Sequence, residues 1–220
     1  MGYFISDKEY EWITDQIENV YKEEWKKANK YYQENPTADL KFQSSLITEV
    51  VNETTFKMIN KVLGLNFEPK VGTNDYIKTT IIWNNEPISL NNFQVDRHIW
   101  LNNQRYGFIE NKTILQASCY KKVLDDFETI FTILLDQGID VKKLKFIILA
   151  AQPDIASKSL KGITALFYKR TAHYFSDNAG IEVKTFFYVK GKRKPYQPIY
   201  KDYHEFDREA YKEFLKYILA

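Results

Sequence analysis

Apolar and polar positions along the chain change period several times, and each change marks the start of an element. From Asp7 to about Glu34 the apolar positions recur at helical spacing, and Ile13, Ile17, Val20 or Tyr21, Trp25, Ala28 and Tyr32 make one face. Ser6-Asp7-Lys8-Glu9 has the form of a capping box, in which the serine accepts from a first-turn amide and the glutamate reaches back, so the helix is predicted to open there. Asn35-Pro36-Thr37 ends it. A second helix is predicted over about Asp39 to Leu63, stopped by Gly64, with Ile47, Val50, Val51, Thr54, Met58 and Val62 as its core stripe. Glu49 and Glu53 lie one turn apart on a neighbouring face, where two acids repel each other unless they are solvated or given a cation.

The period then shortens. Lys70 to Asn92 reads as a loop, an apolar β-branched strand from Tyr76 to Trp83, and an asparagine-rich stretch containing Pro87. Phe93, Val95, Arg97, Ile99 and Leu101 alternate with Gln94, Asp96, His98 and Trp100, the pattern of a strand. Asn102-Asn103-Gln104 is turn chemistry, and Arg105 to Lys112 returns as a second strand. Helical spacing resumes from Ser118 to Gln137 and ends at Gly138. Lys143 to Ala151 is a continuous apolar run of the kind found in strands buried on both faces. A helix from Ser157 to Phe175, a strand from Glu182 to Val189 and a last helix from Asp207 to Leu219 complete the order. Strand, helix and strand following a hairpin imply a mixed sheet with a right-handed crossover. The predicted class is α/β, with a mixed central sheet of about five strands flanked by helices. Residues 1–220 form one domain in this reading, with a helical part over about 1–65 and an α/β core over about 70–220.

Composition narrows the picture. A chain of 220 residues suits one domain with a substantial core, and 44% hydrophobic residues with eight glycines and six prolines exclude a disordered chain. Lysine and arginine number 31 against 29 acids, so the net charge of +2 does not by itself announce a nucleic-acid partner. Local distribution says more. Cations gather in Lys190-Gly191-Lys192-Arg193-Lys194 and around Lys158, Lys161, Lys169 and Arg170, while acids crowd the first helix. The single cysteine, Cys119, excludes an internal disulfide and a cysteine-rich zinc module, and His98, His173 and His204 stand apart from one another. No apolar leader core and no run long enough to span a bilayer occurs, so a cytoplasmic protein without membrane contact is expected.

The strands on either side of the Asn102 turn carry the candidate chemistry. Phe108, Glu110 and Lys112 share one face of the returning strand, and Asp96 on its neighbour can face the same way. Two carboxylates held together repel unless something cationic sits between them, which points to an oxygen-liganded hard cation such as Mg²⁺, with Mn²⁺ as a substitute. The backbone carbonyl of Asn111 could add a further hard ligand. Phe108, Ile109, Ile114 and Leu115 flank the motif, so the charges lie where a strand enters a core. The plainer reading of Glu110 and Lys112 is a structural ion pair.

Asp96, a spacer of thirteen residues (97–109) and Glu110-Asn111-Lys112 resemble the PD-D/E-x-K nucleases and, among them, the type II restriction endonucleases. Val95 stands where the motif has proline, and the literal Pro153-Asp154 has no E-x-K after it and reads as a strand-to-loop turn. The resemblance implies a Mg²⁺-dependent endonuclease that cuts double-stranded DNA as a homodimer and leaves a 5′-phosphate and a 3′-hydroxyl. Asp96, Glu110 and the Asn111 carbonyl would hold the metal, and Lys112 would position or activate the attacking water. An acid from the helix preceding the sheet often joins such sites, and Glu49 is the candidate. Around the late basic loop a polyanion is the expected neighbour, with Lys192 and Lys194 on phosphates and Arg193 free to fork onto a guanine edge. Two other readings stay open: a repair or resolvase-type nuclease of the same fold, and a non-catalytic DNA-binding protein.

Overall fold

In a computed structural model of the protein, α1 (Asp7–Glu34) opens on the expected capping box. The Ser6 N–H donates to Glu9 Oε2 at 2.7 Å and the Glu9 N–H to Ser6 Oγ at 3.4 Å. The structure describes residues 2–36, 40–71, 79–83, 86–90, 96–115, 123, 126, 127, 130, 134, 138–153, 183–192 and 203–220, with the backbone alone at 40–45, 71, 79–83, 86–90, 113 and 114. The buried face of α1 is the predicted one, with Tyr21 and not Val20 turned inward.

The second helix, α2 (Leu40–Leu63), departs from its predicted stripe. Ile47 and Val51 are buried as expected, but their companions are Thr48, Asn52, Thr55, Phe56 and Ile59, whereas Val50, Thr54, Met58 and Val62 are half-buried at the rim. The inward face therefore lies about one residue further round the helix. It tolerates polar side chains because each has a partner: Thr48 shares a 2.8 Å hydrogen bond with the Tyr188 hydroxyl, Thr55 one of 2.5 Å with the Tyr211 hydroxyl, and Asn52 donates to Asn111 Oδ1 at 2.9 Å.

After Gly64, at φ 64°, the chain turns straight into β1 (Phe67–Val71), a strand the sequence pattern does not reveal: Phe67–Pro69 carry no prediction and Lys70 and Val71 read as the start of a loop. The Asn60 side chain holds the junction, donating to the Phe67 carbonyl at 2.8 Å and accepting from its N–H at 2.7 Å. Pro69 is tolerated because β1 is an edge strand. β2 (Thr79–Trp83) pairs antiparallel with β3 (Glu86–Leu90) in a separate two-stranded sheet. Pro87, expected in a loop, sits in β3 opposite Ile82, a position open to proline since both strands of such a ribbon are edges. Residues 76–78 and 93–95 of the two predicted strands lie outside the described residues.

β4 (Arg97–Leu101) and β5 (Gln104–Leu115) form the predicted hairpin, with Asn102 and Asn103 at φ 50° and 63° in its turn, left-handed values that asparagine adopts more readily than most residues. β6 (Lys145–Pro153) and β7 (Val183–Phe187) follow. The five-stranded sheet has the order β1-β4-β5-β6-β7, antiparallel from β1 to β5 and parallel from β5 to β7. This is an α/β fold with a mixed sheet. Helix α3 (Arg208–Leu219) closes it.

The sheet is covered on both faces. On one, Ile109, Ile147, Leu149 and Ala151 pack in a core with Ile17 of α1, Val51 of α2 and Phe214 of α3; on the other, Phe108, Phe146, Ile148 and Ala150 pack with Val123, Phe127, Ile130 and Leu134. Those last four residues and Asp126 are helical, within the helix predicted over 118–137; the rest of that helix, and the one predicted over 157–175, lie outside the described residues. Helix α3 is fixed to α1 by Arg208, whose guanidinium meets Glu11 at 2.8 Å, Asp15 at 2.6 Å and Glu18 at 2.5 Å. The Tyr3 N–H also donates to the Leu219 carbonyl at 2.7 Å.

Gly107 marks where β5 first meets β6. A Cβ there would lie 2.4 Å from the Lys145 carbonyl oxygen, so the two backbones approach closer than any side chain permits. Gly107→Ala is expected to lower stability by about 1 to 3 kcal/mol, read as a lower urea midpoint. An unchanged midpoint would mean that the strands part easily at this point.

Candidate active site

The antiparallel register sets Arg97 opposite Ile109, which brings Asp96, at the bend before β4, level with Glu110. Period-two alternation along β5 then turns Glu110 and Lys112 to the face that carries Phe108. Lys112 Nζ lies 2.5 Å from Glu110 Oε1 and 3.8 Å from Asp96 Oδ2. Asp96 Oδ2 also accepts from the Asn111 N–H at 2.8 Å. The structure thus brings together Asp96, Glu110 and Lys112, three of the residues singled out in the sequence. Asn111 is tied to Asp96 through its N–H, while its side chain turns to the other face of the sheet and meets Asn52.

Glu110 is only 4% exposed, whereas Asp96 is half-buried. Burial in the sheet, and then the charge of Asp96, push the Glu110 carboxyl up to about 7 against the opposing pull of Lys112; the more distant charge of Asp126 adds to the rise. Two ionised carboxylates around one ammonium leave an excess negative charge, which adds to the effect of burial on Glu110. This donor set fits a hard divalent cation. Among the described residues no three histidines, cysteines, aspartates or glutamates form a metal-holding group, so the protein would supply a carboxylate pair, as Mg²⁺ sites completed by water and phosphate commonly do.

Glu49 is placed differently from its expected role. Its carboxylate and that of Glu53 both meet the Arg97 guanidinium, at 3.4 and 3.2 Å on the same Nη2. Neither acid is simply solvated, and Glu49 reaches the Asp96 region from behind, through Arg97. Arg97 is 3% exposed and donates through Nη1 to the Asp96 carbonyl at 2.9 Å. The sequence reading gave Arg97 no role, although its place among Ile99 and Leu101 on the inward side of a strand was a signal. A cation there needs acids from the covering helix. Asp126 was also missed; its place beside Phe127, on the helix facing Phe108, was the available cue.

Of the basic loop, Arg193 and Lys194 lie outside the described residues. Lys190, the first cation of the loop, pairs within the chain: its Nζ lies 3.0 Å from Glu205 Oε2. Lys192 is half-buried. Gln152 Nε2 donates to the Lys190 carbonyl at 2.5 Å, and Gln152 pairs with Ile114, two residues beyond Lys112, so the loop departs from the end of the sheet toward which the site lies.

Among known proteins, no family model matches the chain and no curated sequence matches it.

The Glu110 carboxyl makes a signed prediction for protein in chelator. Its folded value of about 7 lies above the ordinary 4.5, so between these pH values the folded state binds the extra proton and stability falls as pH rises. Relative to Glu110→Gln, the wild-type protein should lose roughly 2 to 3 kcal/mol between pH 4.5 and pH 8. Urea unfolding at a series of pH values checks this, and a pH-independent difference would remove the raised carboxyl.

Proposed function

We propose that the protein is a Mg²⁺-dependent endodeoxyribonuclease of restriction type, a cytoplasmic homodimer that cuts double-stranded DNA at a specific site. The supporting observation is the convergence of Asp96, Glu110 and Lys112, with Lys112 Nζ at 2.5 Å from one carboxylate and 3.8 Å from the other. A two-fold dimer would match a palindromic site and cut both strands. Among the described residues no helix is long and apolar enough to cross a membrane.

In this reading Asp96 and Glu110 hold the metal, which when bound neutralises charge on the scissile phosphate. Lys112 orients the attacking water and lends its positive charge to the phosphorane oxygens. Without metal the Glu110 carboxyl sits near 7; a bound cation would favour its ionised, ligating form, and the water proton would leave to solvent. The water oxygen bonds to phosphorus, the bond from phosphorus to O3′ breaks, and O3′ takes up a proton, giving a 5′-phosphate and a 3′-hydroxyl. The short Lys112–Glu110 contact also supports a second reading, a structural ion pair in a non-catalytic DNA-binding protein.

Digestion of plasmid and phage DNA separates these. Discrete bands with Mg²⁺ or Mn²⁺, none with chelator, and binding without cutting in Ca²⁺ are expected. Lys112→Ala and Asp96→Asn should each lower the rate by about 100-fold or more while the fold persists. Cleavage of branched DNA alone would transfer the protein to the resolvase and repair class, and binding without metal-dependent cutting would leave the ion-pair reading. Near wild-type cutting by Lys112→Ala would remove this site.

The basic loop gives a separate test. Lys192→Ala and Lys194→Ala are expected to weaken binding on every sequence and to reduce the salt slope by about one unit per lost phosphate contact. Arg193→Ala should cost roughly 1 to 3 kcal/mol at the cognate site and little elsewhere if the guanidinium reads a base. Unchanged binding of cognate and random duplex at two salt concentrations in all three variants would exclude the loop from the interface.

A further inference from the structure

We infer that Arg97, gripped from α2 by Glu49 and Glu53, is a positioning residue that holds Asp96 in the carboxylate pair. The inference rests on the nuclease reading and gives the two helix acids a role at one remove from the metal. Burying a guanidinium is costly unless its charge is met. Here it is met by two carboxylates on one nitrogen, at 3.4 and 3.2 Å, while the other terminal nitrogen bonds the Asp96 carbonyl at 2.9 Å.

Attachment of α2 does not explain this arrangement. The helix is already fixed to the sheet and to α3 by Thr48 on Tyr188, Asn52 on Asn111, Thr55 on Tyr211, and the apolar contacts of Ile47, Val51, Phe56 and Ile59. What Arg97 does for the site is local. Asp96 lies on a bend just before the first paired residue of β4, so the regular ladder does not define its backbone. Arg97 holds its carbonyl and the backbone N–H of Asn111, on the neighbouring strand, holds its carboxylate. Two fixed points determine where the second carboxylate oxygen points, and Glu49 and Glu53 keep the guanidinium from swinging toward water.

Because both acids reach the same nitrogen, either can retain it, and their losses should not add. The test measures Mn²⁺ binding by electron paramagnetic resonance without DNA, kcat and KM on cut DNA, and Tm. Arg97→Met, an unbranched apolar replacement, is expected to bind Mn²⁺ about 10- to 100-fold more weakly and to lose kcat in proportion, with KM for DNA and Tm close to wild type. Arg97→Lys should fall between, since one ammonium cannot reach three oxygens in the same fork. Glu49→Gln and Glu53→Gln should each lower Mn²⁺ affinity only about two- to threefold, and the double variant far more than their product.

Wild-type Mn²⁺ affinity and kcat in folded Arg97→Met would overturn the inference while leaving the nuclease reading intact. So would a Glu49→Gln loss of Mn²⁺ affinity that persists undiminished in the Arg97→Met background, which would make Glu49 a direct ligand. Should Arg97→Met fail to fold, Arg97→Lys and the double glutamine variant decide the question by the same readouts. A wild-type protein that neither binds Mn²⁺ nor cuts DNA removes the nuclease reading, and this inference with it.

Discussion

Strand β5 is bonded antiparallel to β4 along one edge and parallel to β6 along the other, and the rest of the molecule is arranged by that double attachment. The antiparallel side fixes which residue of β4 stands beside Glu110. The parallel side lets the chain leave β5, cross one face of the sheet and return alongside it, so that β5 is covered above and below. A carboxylate on a strand so covered loses water. Glu110 therefore feels its neighbours far more strongly than a surface glutamate would, and Asp96 and Lys112 become determinants of its charge.

The same attachment separates the polar groups into two layers. One face carries Asp96, Glu110 and Lys112; through the other, α2 supplies Thr48 to Lys112's carbonyl, Asn52 to Asn111's side chain and two acids to Arg97. Alternation along a strand makes this division automatic, because neighbours in sequence belong to opposite faces. A site residue and its support can therefore be adjacent in the chain, as Asp96 with Arg97 and Glu110 with Asn111 are.

Much of this could be read before any coordinates. The hairpin, the buried run of β6, the capping box of α1 and the shared face of Glu110 and Lys112 follow from period, turn residues and cap chemistry, all of them local. The misreadings have a common physical origin. Thr48, Asn52 and Thr55 look like surface residues until Tyr188, Asn111 and Tyr211 appear beside them, and those partners are 140, 59 and 156 residues away. The pairing of Glu49 and Glu53 is equally hidden, because their cation, Arg97, lies 48 and 44 residues on in the middle of an apolar pattern. Strand β1 escaped notice because its boundary is made by the Asn60 side chain, which has no periodicity to betray it.

The joining of α3 to α1 has a consequence for how the chain reaches this state. Arg208 and Asp15 are separated by 193 residues, yet they meet on the face where α1, α2 and α3 cover the sheet. Closing so long a loop carries its entropic cost before any contact at its ends forms, and topologies rich in such contacts fold slowly. Until α3 docks, the apolar surface reserved for Phe214, Leu215 and Ile218 stays open to water. The acids lining α1 attract Arg208 and Lys212 of α3, so the same charges that pair in the folded state favour docking of that helix over the surface it must cover.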